Sequence, residues 1–139
     1  REDMTGGRDF SSTAIALTHY DIDIHGCRYR DWRPSYEAAG ASIKQFVVRP
    51  LPIPLEAIVP QGVENVLIGG KSIAASHIVN GMTRVHHGEW SVGAAAGSIA
   101  GWLLRYGKPY DLAPSQIVVT GQMPAVQSYL KEQGLRFTW

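Results

Sequence analysis

Thr83–Trp102 reads TRVHHGEWSVGAAAGSIAGW, and its two halves ask for different chemistry. The first half crowds Arg84, His86, His87 and Glu89 together. The second places Gly93, Gly97 and Gly101 four residues apart, with almost only alanine and serine between them. The pattern predicts a helix from about Glu89 to Tyr106, closed by Gly107 and then Pro109. Each mid-helix glycine costs about 1 kcal/mol relative to alanine. Three on one face therefore call for a compensating gain, and close backbone approach to a sheet or a ligand supplies one. The apolar window Val92–Leu104 is 13 residues long, whereas a bilayer needs about 20, so a membrane GxxxG contact is excluded. The first turn also offers free N–H groups at the positive end of the helix dipole, a place suited to an electron-rich oxygen.

The four polar residues admit two readings. Histidine titrates near neutral pH, and Arg84 beside it suits a carboxylate or a developing negative charge, which together describe an acid–base site. The other reading is a structural hydrogen-bond network around a loop. A zincin would need H-E-x-x-H on one helix, and that spacing is absent. No G-x-G-x-x-G occurs anywhere in the chain, so no dinucleotide phosphate loop is carried here.

Upstream, Tyr20, Ile22 and Ile24 alternate with Asp21, Asp23 and His25, which predicts a strand ended by Gly26. Asp21, Asp23 and His25 then share a face, read either as a divalent-ion site or as the solvated side of a half-buried strand. CRYRDWRPSYEAAGASIK looks like an exposed excursion, and QFVVRP a short strand. Prolines at 50, 52, 54 and 60 deny donors to a ladder, making Leu51–Pro60 extended or edge-like. Val66, Leu67 and Ile68, running into Gly69 and Gly70, form the best candidate for a buried strand. In the tail, Pro124 suits a helix start, Gly134 a helix end, and LRFTW a short terminal strand.

With 139 residues, 45% hydrophobic and 18% charged, the composition is that of an ordinary folded domain. A net charge of +1 gives no electrostatic reason to expect nucleic acid or an anionic membrane surface. The single Cys27 rules out an intramolecular disulfide and fits a reducing compartment. The chain begins with Arg1, and the expectation is a piece of a longer protein.

Several of these stretches, in this order, resemble the C-terminal part of the FAD-dependent oxidoreductase family, whose bacterial members include some labelled xanthan lyase. They are YDIDIHG, Ile53–Pro60 (IPLEAIVP), Asn65–Lys71 (NVLIGGK), Ser76-His77, Asn80-Gly81, Arg84-Val85-His86, Glu89-Trp90 and Gly93–Gly97. The resemblance runs from about Ala14 to Leu104. It departs at His87, where the family pattern has proline.

What the resemblance implies is an α/β chain, the C-terminal fragment of a Rossmann-type FAD-binding flavoprotein. It would hold mixed short strands, the Gly/Ala-rich helix and C-terminal helices. Residues 1–60 would belong to a substrate or cap region, 61–107 would return to the FAD-binding domain, and 108–139 would form a helical tail. The phosphate loop would sit in an N-terminal FAD-binding segment of the same protein, the expected partner. Gly70, Lys71 and Ser72 would meet the ribityl and phosphate part of FAD. Glu89, Trp90, Ser91, Val92 and Gly93 would meet the flavin's pyrimidine edge. A more distant likeness to the fumarate reductase and succinate dehydrogenase type puts His77 and Arg84 on the substrate side, with His86 a third candidate. The expected function is hydride transfer between a small organic substrate and FAD. Two rivals stand beside it: an interaction module without redox activity, and a metal-dependent hydrolase using Asp21, Asp23 and His25.

Overall fold

Leu51 and Ile53 are buried while Pro52 and Pro54 are half-buried, the period-two pattern of a strand packed on one face. In the computed structural model, which describes residues 9–22, 49–107 and 112–139, this stretch is strand β2 (Leu51–Pro54). It pairs antiparallel with β1 (Ala14–Thr18), Leu17 opposite Pro52 and Thr18 opposite Leu51, with an irregularity between Ala14 and Ala16. The prolines leave β2 short of donors, and its one ladder among the described residues is to β1. The edge-like expectation for this stretch therefore fits.

The chain continues through a 3-10 turn, Leu55–Ile58, and a second one, Gly70–Ser72. Helix α1 (His77–Thr83) is capped by Ser76, whose hydroxyl accepts from the Val79 N–H at 3.4 Å. Helix α2 (His86–Tyr106) follows after Arg84 and Val85, then α3 (Gln116–Val119) and α4 (Met123–Glu132). Pro124 lies in the first turn of α4, and Gly134 just past its end takes φ +79, as a helix-terminating glycine should.

The core forms where α2 lies across the two-stranded sheet. Val92, Ala95, Ala96, Ile99 and Trp102 make its buried stripe, at helical spacing. They meet Ala14, Ile15, Ile53 and Leu55 in one cluster that also takes in Val126, Leu130 and Phe137. The core thus draws on all three stretches of the chain. No helix among the described residues is long and apolar enough to cross a membrane.

Four expectations need correction. Strand β1 covers Ala14–Thr18, ahead of the alternating Tyr20–His25 segment; Tyr20–Ile22 have no ladder, and Asp23–Gly26 lie outside the described residues, as do most of QFVVRP and the excursion before it. Val66–Ile68 is not a buried strand. Val66 is 40% exposed, and among the described residues the segment's interstrand-like bond is a single one, Ile68 N–H to Ile58 O at 2.8 Å. Asn65 just before it sits at φ 58, a left-handed kink that separates it from the preceding turn. LRFTW has no strand pairing among the described residues either; Phe137 alone is buried there. The long helix begins at His86, three residues before Glu89, because the chain needs only Arg84 and Val85 to turn out of α1.

Candidate functional site

That earlier helix start rearranges the polar cluster. His86 and His87 are the first two helical residues, so the open amides belong to Val85–Gly88, while the Glu89 N–H already donates to Val85 O at 2.9 Å. The Gly88 position is tight. A Cβ there would lie 2.8 Å from Thr18 Oγ1 and 2.9 Å from Thr83 O. Gly88 lets the helix start seat directly on the end of β1, where Thr18 Oγ1 donates to Met82 O at 3.3 Å. Nothing in the four-residue glycine spacing pointed to it, since only a tertiary contact makes it special. The neighbouring Thr83 hydroxyl is buried with no hydrogen-bond partner.

On one flank of the helix start lies the glycine turn. Gly69 is extended and Gly70 takes φ +69, so the backbone folds back beneath α2, and a Cβ on Gly69 would sit 3.8 Å from Gly93 Cα. Lys71 and His86 both reach Glu89 Oε2, Nζ at 3.4 Å and Nδ1 at 3.5 Å. The carboxylate is about one-third exposed and the His86 ring mostly exposed, so this cluster ties the turn to the helix with little stabilising energy of its own.

The other flank is the end of β1. The His87 ring donates from Nε2 to His19 O at 3.0 Å, and the Tyr20 ring lies 6.3 Å from it, centroid to centroid. Ser91 Oγ accepts from the Leu17 N–H at 3.4 Å.

The expected site residues divide accordingly. Gly70, Lys71, His86, Glu89 and Gly93 meet at the junction of the glycine turn and the helix start. Ser72 is exposed beside them, Ser91 is turned to β1, and Val92 belongs to the core. Trp90 is 78% exposed. Arg84 caps α1 at its C-terminal end, whereas His77 opens the same helix. At 1.5 Å rise per residue these two are about 10 Å apart along the axis, so one helix does not bring them together.

Of the four glycines in α2's body and first turn, two face other backbone: Gly88 and Gly93. Gly97 has nothing within 4 Å of a would-be Cβ, and it lines a cleft of about 780 Å³ with Ala100, Leu104, Asn65, Leu67 and Gly69. The expected close approach is thus realised at Gly93 and left open at Gly97. Among the described residues no three histidine, cysteine or acidic side chains are placed to hold a metal, and Asp23 and His25 lie outside them.

The family model for FAD dependent oxidoreductases matches residues 1–128. The chain belongs to that family. Its members take FAD as cofactor, and general oxidoreductase function follows for a protein containing this chain. No curated protein matches the chain, and no solved structure does. For an FAD dependent oxidoreductase, the junction has the right donor set: a glycine turn free of side chains and open amides at a helix start. Both suit a planar ring edge and a polyol chain. The α/β elements seen here, two antiparallel strands and helices, are consistent with part of an FAD-binding domain.

Proposed function

We propose that the chain is the C-terminal part of an FAD-dependent enzyme that moves a hydride between a small organic substrate and FAD, and that the α2 start and the glycine turn together hold the flavin end of the cofactor. What carries the reading is that a Cβ on Gly69 would lie only 3.8 Å from Gly93 Cα, beside a helix N-terminus, in a chain of this family. FAD supplies the redox chemistry when bound. The helix-start amides of Val85–Gly88 would favour negative charge on a bound flavin. Gly70, Lys71 and Ser72 would hold the ribityl side. Glu89 and Gly93 would stand at the ring edge, with Trp90 and Ser91 beside them and Val92 anchoring that turn in the core. Arg84 and His86 stand nearest the helix start as substrate-side groups. His77, at the far end of α1, acts on a more distant part of the substrate.

The chain has no dinucleotide phosphate loop, so a preceding FAD-binding segment of the same protein provides it. The face bearing Gly97, Ala100, Leu104 and Trp90, together with Val66–Ile68, is where that segment packs. Its small residues permit close approach, and Val66–Ile68 has backbone groups outside any ladder. These contacts explain why residues with strand composition lack a strand partner here.

The test is flavin retention by full-length protein. A Gly93→Leu variant should be purified colourless, because the added side chain enters the gap to Gly70 N, now 4.0 Å from a Cβ position. Full flavin occupancy in that variant would refute the placement, and a colourless wild type that cannot be reconstituted with FAD would refute the reading itself.

A further inference from the structure

Two clefts meet at one carboxylate. The cleft beneath Gly97 and Ala100 has a neighbour of about 620 Å³ lined by Leu55, Val59 and Val118, and Glu64 and Pro114 line both. Together they make one trough that runs from the outer face of α2 to the short helix α3. Its lining is mostly apolar, and two valines stand out at its rim, Val63 at 50% and Val119 at 81% exposure. Contiguous apolar surface of this kind marks contact with another surface. The charged residues among those lining the trough are Glu56 and Glu64, with no Lys, Arg or His beside them. Neither carboxylate forms an ion pair among the described residues.

Placement makes Glu64 decisive. The face assigned above to the preceding FAD-binding segment takes in Gly97 and Val66–Ile68, and Glu64 stands two residues before Val66, where the clefts join. A surface laid over that face removes the Glu64 carboxylate from water. Burying an unpaired charge is strongly unfavourable, so a carboxylate covered in this way needs a cation opposite it.

We propose that the segment packed on this face carries a Lys or Arg, flanked by apolar residues, which seats in the trough against Glu64. Glu56, in the second cleft, adds to the field that draws that cation in. The apolar lining offers contact area in many placements, whereas a single carboxylate at the junction accepts the cation in one. The ion pair therefore sets the register between the two parts of the protein. The proposal rests on the reading that a preceding segment of the same protein covers the outer face of α2.

The experiment follows amide hydrogen exchange in full-length protein at Val66 and Leu67, whose N–H groups have no acceptor among the described residues. Left uncovered, such amides exchange close to the rate of an unstructured peptide. In wild type they should exchange at least about tenfold more slowly, at every protein concentration. Glu64→Gln leaves the facing cation unpaired and should speed their exchange about tenfold, with Glu64→Lys reaching the peptide rate. Glu132→Lys, a charge reversal at the exposed end of α4, should change nothing. Should Glu64→Lys fail to fold, wild type and Glu64→Gln decide the matter. Peptide-like exchange in wild type would overturn the proposal, since the trough is then open or kept for a different protein. Protection that appears only as concentration rises would overturn it in favour of a second copy of the chain. Protection untouched by Glu64→Gln and Glu64→Lys would overturn it too, because the cover then brings no cation. Flavin absorbance reports the underlying reading separately. Yellow protein with an unprotected trough brings down the ion pair alone, whereas colourless protein with Glu64-dependent protection leaves the ion pair standing without the flavin.

Discussion

Gly88 and Gly97 belong to one helix and meet opposite surroundings. At Gly88 the space is taken by Thr18 Oγ1 and the Thr83 carbonyl, both under 3 Å from a would-be Cβ, and the carbonyl is backbone that cannot swing away. Gly88→Ala should therefore destabilise the chain by about 1–3 kcal/mol through overpacking, more than the ~1 kcal/mol that alanine's helix propensity returns. A lowered denaturation midpoint checks it; an unchanged or raised midpoint would mean that the helix start does not seat on β1. Sequence showed the glycines but could not rank them, because a glycine's worth depends on which atoms lie beyond its Cα. The same holds for the histidine pair. Their adjacency was plain, while the divergence of their rings, one to Glu89 and one to His19 O, comes from where two other elements end.

Among the elements, α2 was the most legible. Its glycine and alanine content, its length and Gly107 at its end were all readable, and Val92, Ala95, Ile99 and Trp102 fall on the buried stripe at helical spacing. Only its start moved, from Glu89 to His86, because a histidine pair carries no strong helix signal. Gly97→Ala tests the outer face of this helix. With nothing within 4 Å, the methyl should raise the stability of the isolated chain by about 0.5–1 kcal/mol. In the full-length protein the same change should stabilise less, or destabilise, where the proposed FAD-binding segment packs against this face. Equal gains in both would argue that the face stays open. Val66–Ile68 was misread for a related reason. Apolar residues, two of them β-branched, before two glycines do have strand composition, but a strand exists only where a neighbour supplies the ladder, and among the described residues none does.

For the whole molecule, the terminal helix α4 is part of the core rather than an appendage. Val126 and Leu130 are fully buried and join the cluster built around α2 and the sheet, and Gln127 donates through its amide to Ser11 O at 2.9 Å and Ala14 O at 3.0 Å. Leu130→Ala should cost about 2–5 kcal/mol and lower the single unfolding midpoint of the chain. A loss below 1 kcal/mol, or melting of α4 alone, would show that the tail is dispensable to the core.

The sequence by itself determined the class of protein, the long helix with its buried stripe, the edge character of Leu51–Pro54, and the absence of a phosphate loop. These are local or compositional properties, set by side-chain size, periodicity and the missing N–H of proline. Tertiary structure decided the rest: which glycines are filled against backbone, where the helix begins, that Glu89 joins Lys71 to His86, and that the His87 ring meets the His19 carbonyl. Each of these depends on atoms far apart in the chain, and a contact of that kind has no periodicity from which it could be read.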